Sequence, residues 1–127
     1  KMRLKKLKNI NKKRRENVQL YRENLKNKYI RVPDDKKNEV NSYVMFLTEA
    51  EKRDELQKYL SKYNIQSLIY YGTPLHLHRA TRKLGYKKGS LPNSERLAKK
   101  VLALPHHQNL SKKQIIYVCN KINNFYS

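Results

Sequence analysis

The sequence has no tryptophan, one cysteine, 3 glycines and 4 prolines in 127 residues. One cysteine cannot build a disulfide framework or a cysteine-rich zinc site, and it suits a reducing compartment. So few glycines and prolines exclude collagen-like and low-complexity architectures. Long apolar runs are missing as well. The longest clean one, Tyr43-Val44-Met45-Phe46-Leu47, falls far below the ~20 residues of a membrane-spanning helix. The basic N-terminus is not followed by the ~7–15 apolar residues of a signal peptide, so the expected location is cytoplasmic. Acidic residues are scarce too, 10 against 30 Lys+Arg.

What is abundant is positive charge. The formal net charge is +20, and 15 of the cations lie in residues 1–37, with Lys12-Lys13-Arg14-Arg15 as the densest run. Such a surplus can bind polyanions, because cations that neutralise phosphates release the counterions condensed there. Two features weigh against reading it as nucleic-acid recognition. Phosphate and base recognition favours the planar fork of arginine, yet 21 of the 30 cations are lysine. Lysine, asparagine, isoleucine and tyrosine are also products of A/T-rich codons, and the chain holds 13 Asn, 7 Ile and 10 Tyr. Codon bias accounts for much of this composition with no partner involved. A small basic nucleic-acid- or polyanion-binding module stays open as the alternative function.

Leu, Ile, Val and Phe make up 31 of the 127 residues, above the ~20% that marks disorder, so a thin core is expected. Leu4, Leu7, Ile10, Arg14, Val18, Tyr21 and Leu25 recur at steps of three and four, which predicts one long helix over residues 3–29. No N-cap precedes it, and the pattern is under way at Lys1, as expected of a helix truncated at its start. Its leading apolar positions, Leu4, Leu7 and Ile10, are expected to lack a partner within the chain. Pro33-Asp34-Asp35 forms a turn. Ser42–Leu47 and Ile65–Tyr71 predict strands. Between them Thr48-Glu49-Ala50-Glu51 has capping-box spacing and opens a helix with Leu56, Tyr59, Leu60 and Tyr63 on one face, stopped by a left-handed Asn64. Leu75–Leu84 reads as a short helix and Gly85–Pro92 as a loop. Asn93 caps a helix burying Leu97, Ala98 and Val101, which leaves through Leu102-Ala103-Leu104-Pro105 as an extended piece. Ser111-Lys112-Lys113-Gln114 is a second capping box, opening a last helix lined by Ile115, Cys119, Ile122 and Tyr126. The fold class is α/β (α+β): a long helix, then a two- or three-stranded sheet covered by helices.

No self-contained active site emerges from these residues. His76-Leu77-His78 could serve a metal, but a third protein ligand is missing nearby. His106-His107 reads as a loop pair or one core histidine. Gly85-Tyr86-Lys87-Lys88-Gly89-Ser90 lacks the spacing of a phosphate loop. Cys119 sits on an apolar helix face, where a small buried side chain is the ordinary outcome. Asp34, Asp35 and Asp54 do not form an acid/base pair. The basic helix could lie on an anionic membrane surface, although its apolar stripe is more simply a packing face.

A series of short motifs nevertheless runs in order along the chain. It comprises Ser42–Leu47, Arg53-Asp54-Glu55-Leu56 with Tyr59-Leu60, Ile65, Tyr70-Tyr71, Pro74-Leu75-His76-Leu77 and Leu84-Gly85-Tyr86-Lys87-Lys88-Gly89. It continues through Pro92-Asn93-Ser94-Glu95, Val101-Leu102-Ala103-Leu104-Pro105 and Leu110-Ser111-Lys112-Lys113-Gln114. Together these resemble the small C-terminal domain of DegT/DnrJ/StrS-type sugar aminotransferases, of fold type I. Leu4–Leu25, with Arg14-Arg15 and Tyr21, looks like the long helix that joins the cofactor domain to it. The resemblance divides the chain into a linking helix (1–32) and the small domain (33–127). It implies a pyridoxal 5'-phosphate enzyme, usually a homodimer, that aminates a keto-sugar on a nucleotide for polysaccharide or lipopolysaccharide biosynthesis. The family places the Schiff-base lysine and phosphate cup in its large N-terminal domain. The resemblance therefore implies no cofactor-binding or catalytic residue here, and an inactive chain when alone. Tyr71 and His76 match the segment that faces bound nucleotide-sugar, and are the expected substrate-binding residues. Gly72 replaces the usual proline after the tyrosine pair, His78 a frequent glutamine, and Gln108 a common proline.

Overall fold

The computed structural model describes the backbone of residues 2–127 and the side chains from Leu4 onward. Helix α1 (Met2–Asn24) leads into β1 (Ile30–Arg31), β2 (Leu47–Ala50) and α2 (Arg53–Lys62). Two short 3-10 helices (Leu75–Leu77 and Arg79–Leu84) follow, then α3 (Pro92–Lys100), β3 (Val101–Ala103) and α4 (Lys112–Phe125). The strands form an antiparallel sheet in the order β1-β2-β3. Ile30 pairs with Ala50, while Leu47, Thr48 and Glu49 face Ala103, Leu102 and Val101. Helices over a three-stranded sheet agree with the expected fold class, a two- or three-stranded sheet covered by helices.

The second half of α1 packs along α4, and α2 closes the core from the other side. Val18, Tyr21, Leu56, Leu60, Leu102, Ile115 and Ile122 are wholly buried, each stabilising the fold by roughly 1.5–3 kcal/mol. Polar groups in this layer find partners across the chain. The Tyr21 hydroxyl donates to the Pro105 carbonyl at 2.7 Å, and the Asn17 amide donates to the carbonyls of His107 (2.9 Å) and His106 (3.3 Å). Tyr21 is kept protonated well above the usual phenol range, first by burial and then by nearby Cys119. At the other end of α1, Leu4 is 74% and Leu7 47% exposed, as the unpartnered stripe predicts, and Ile10 is half-buried.

Several local expectations give way to tertiary contacts. Helix α1 stops at Asn24, not near residue 29: the side chain of Asn123 caps the Asn24 carbonyl at 2.9 Å, and Ile30 and Arg31 are drawn into the sheet. Ser42–Leu47 is not a strand, because Tyr43 takes a left-handed φ of 45° and sends its ring inward. There its hydroxyl donates to Asp35, and Arg22 donates to the same hydroxyl (3.0 Å) and to Asp35 (3.1 Å). Strand pairing starts only at Leu47. The Thr48–Glu51 capping box does not form. Thr48 is a buried strand residue whose hydroxyl donates to the Leu102 carbonyl (3.0 Å), and α2 starts instead from Lys52 in left-handed geometry. Ile65–Tyr71 contributes one bridge, Leu68 to Ala103. Helix α3 starts with Pro92 as its first residue and Leu91 as its cap, not Asn93, because the fixed proline φ is preformed for that position. The left-handed Asn64 (φ 57°) and the full Ser111–Gln114 capping box appear as expected.

Candidate functional site

Beyond the Leu68 bridge the chain leaves the sheet and wraps an open, mostly apolar groove of about 580 Å³. Tyr70, Tyr71, Leu75, Leu84 and Tyr86 line one side, and Leu97 and Val101 form the opposite wall. This segment is held by short-range bonds. Pro74 accepts from the Leu77 amide (2.9 Å), and the Thr81 hydroxyl donates to the Leu75 carbonyl (2.6 Å). The His78 ring donates through Nε2 to the Thr73 carbonyl (3.1 Å), and Ser90 Oγ accepts from the Lys87 amide (2.9 Å). Gly85 (φ 77°) and Gly89 (φ 92°) make the two left-handed bends that bring the loop back to α3.

Tyr71 and His76 meet at this groove in different ways. Tyr71 stands on the rim, 66% exposed, with a left-handed φ of 58°. His76 is recessed: its side chain is 5% exposed and its ring packs edge-on against Tyr86. Its Nε2 lies 3.0 Å from Glu95 Oε1, and the same oxygen accepts from the Gly89 amide at 2.7 Å. The His76 hydrogen bond first, and the Gly89 and Leu91 amides after it, hold the Glu95 carboxyl below the usual carboxylate range. An ionised carboxylate only accepts hydrogen bonds, so Nε2 carries a hydrogen, and in the neutral ring Nδ1 is the nitrogen left over.

The sequence alone does not mark Glu95 as a site residue. The available signal was an acid in the first turn of a proline-started helix, where it can reach back to the loop before it. The Asp35–Tyr43–Arg22 cluster leaves no local sequence signal, since its members come from separate segments 8 and 13 residues apart. Burial would raise the Asp35 carboxyl, but the bonds from Tyr43 and Arg22 outweigh it and hold the group low.

The remaining sequence candidates lie apart from the His76–Glu95 pair. His106 is half-buried and donates through Nε2 to the Tyr43 carbonyl at 2.6 Å, the core-histidine outcome, while His107 is exposed. His78 is occupied by its own turn, and among the described residues no three His, Cys, Asp or Glu side chains gather as a metal site. Cys119 is fully buried and its thiol is pushed up to about 12 by that burial. No described lysine side chain is buried: Lys100 pairs with Glu51, and Lys121 lies over the Tyr63 ring. In the basic run, Arg14 and Arg15 are half-buried and Lys13 pairs with Glu16. Among the described residues no helix is long and apolar enough to cross a membrane.

Residues 1–123 match the DegT/DnrJ/EryC1/StrS aminotransferase family. The chain is 47% identical over 77 residues to a pleiotropic regulatory protein of Geobacillus stearothermophilus, covering 61% of this chain and 21% of that one. It is 30% identical over 115 residues to the dTDP-3-amino-3,6-dideoxy-alpha-D-galactopyranose transaminase of Aneurinibacillus thermoaerophilus, covering 91% of this chain and 31% of that enzyme. Its structure overlays DesV of S. venezuelae, solved in complex with a ketimine intermediate, with a TM-score of 0.93 and 28% identity over 99% of this chain and 34% of DesV. The chain thus spans about a third or less of the length of these relatives.

Proposed function

Because the chain belongs to the DegT/DnrJ/EryC1/StrS aminotransferase family, we propose that it serves as the small domain of a pyridoxal-phosphate-dependent aminotransferase acting on a nucleotide-linked keto-sugar. Residues 1–32 act as the link and residues 33–127 as the small domain proper. The near-complete overlay on DesV carries this reading. The groove wall holding Tyr71 and His76 becomes one side of the active-site mouth, with the tyrosine ring offered as a surface and the imidazole as a hydrogen-bonding group.

The described residues do not fit the cofactor itself. A Schiff-base lysine must sit desolvated in a shaped pocket to be nucleophilic at neutral pH, and no described lysine side chain is buried. The cofactor, its lysine and its phosphate cup are therefore assigned to a larger domain outside these residues. A homodimer of that complete enzyme, working in the cytoplasm on sugars for surface polysaccharide, completes the reading. The polyanion-binding alternative draws no support from the relatives.

A chimera tests the proposal. The matching segment of the Aneurinibacillus enzyme is replaced by this chain, and cofactor absorbance and dTDP binding are measured. Retained pyridoxal-phosphate absorbance with dTDP protection of Tyr71 and His76 is the expected result. A folded, cofactor-loaded chimera blind to dTDP overturns it.

A further inference from the structure

We propose that Glu95 is a positioning residue for His76: one carboxylate oxygen fixes the imidazole with Nδ1 as its free nitrogen and ties the Gly85–Leu91 loop to the same ring. Glu95 Oε1 receives two donors from separate segments, the His76 ring at 3.0 Å and the Gly89 amide at 2.7 Å. Two acceptor sites on that oxygen are thereby filled. The pair is shielded, with side chains 5% and 15% exposed, and a hydrogen bond to an ionised acceptor is roughly twice as strong as a neutral one.

Nothing else between residues 72 and 91 joins turn, loop and helix in this way. The other side-chain bonds there span six residues or fewer, whereas His76 to Glu95 spans 19. Leu91, the cap of α3, offers no side-chain hydrogen bond to the helix end. Glu95 supplies the missing negative charge at that positive terminus while reaching back to the loop. Tyr86 rides on the same arrangement, edge-on against the His76 ring. Which ligand group meets Nδ1 rests on the nucleotide-sugar reading above; the fixing of the ring does not.

The test uses the full chain labelled with nitrogen-15, in which two-bond proton–nitrogen spectra report the tautomer of each imidazole. Neutral His76 is expected to carry its hydrogen on Nε2. In Glu95→Ala the ring should relax toward the tautomer mixture of a free imidazole and the Gly89 amide resonance should shift, with the Ile115–Ile122 resonances unmoved. Glu95→Gln keeps an acceptor oxygen and should rescue both signals. In the cofactor-loaded chimera, affinity for dTDP is expected to fall roughly tenfold in Glu95→Ala, the scale of one lost hydrogen bond. A neutral wild-type His76 with its hydrogen on Nδ1 overturns the assignment even if Glu95→Ala fails to fold, as does a Glu95→Ala protein with unchanged tautomer and Gly89 amide. If the tautomer is as expected but dTDP leaves His76 unmoved in the cofactor-loaded chimera, Glu95 stands and the nucleotide-sugar reading falls.

Discussion

Tyr21 and Tyr71 are the same side chain in opposite circumstances, and they typify the two regions of the molecule. Tyr21 is wholly buried between α1 and α4, with its hydroxyl bonded to a carbonyl 84 residues away. Asn17 and Asn123 likewise reach partners 90 and 99 residues distant. Tyr71 stands in the open on a segment whose bonds are nearly all to near neighbours. The first region owes its shape to cooperative packing, and its groups are lost together. The second is a set of local turns laid over that core and is free to open alone. Stability lives in one place and the proposed recognition surface in the other.

The comparison breaks most visibly at Tyr21. Tyr21→Ala removes a fully buried ring and should cost about 3–5 kcal/mol in urea denaturation; a loss below about 1 kcal/mol would mean the α1–α4 layer is not the stabilising unit. Thr48→Val keeps the shape but deletes the donor to the Leu102 carbonyl. It should cost about 1 kcal/mol, read as a lowered thermal midpoint.

Acid sharpens the distinction further. Asp35 and Glu95 are both held below their ordinary range. The stability they contribute is complete above their unfolded values near pH ~4 and is lost as pH falls through the lower folded ones. Asp35→Asn should flatten the acid limb of the global melt, because Asp35 anchors Tyr43 to the core. Glu95→Gln should instead flatten the acid dependence of hydrogen exchange over residues 76–91. The smallest effect belongs to Leu84→Ser, on the exposed rim, which should leave the urea midpoint within about 0.5 kcal/mol of wild type.

The parts of the fold legible in sequence were those whose signal is local. Ser111 and Gln114 cap α4 because both partners lie within one turn. Asn64 ends the stretch after α2 because asparagine tolerates left-handed geometry. Thr48 and Glu51 carry the same spacing as the second box, yet Thr48 is claimed by Leu102, 54 residues on. A pairing at that range leaves no trace in a short window. The end of α1 is illegible for the same reason, since Asn123 sets it from the far end of the chain. At the groove, the family resemblance named Tyr71 and His76, but only the fold brings Glu95 to the imidazole.

Cys119 turns the core into its own gauge. The thiol is fully enclosed, and burial keeps it from ionising until about pH 12, so alkylating reagents should pass over it while α1 and α4 stay together. The rate at which maleimide marks this single sulfur then counts how often the two helices part.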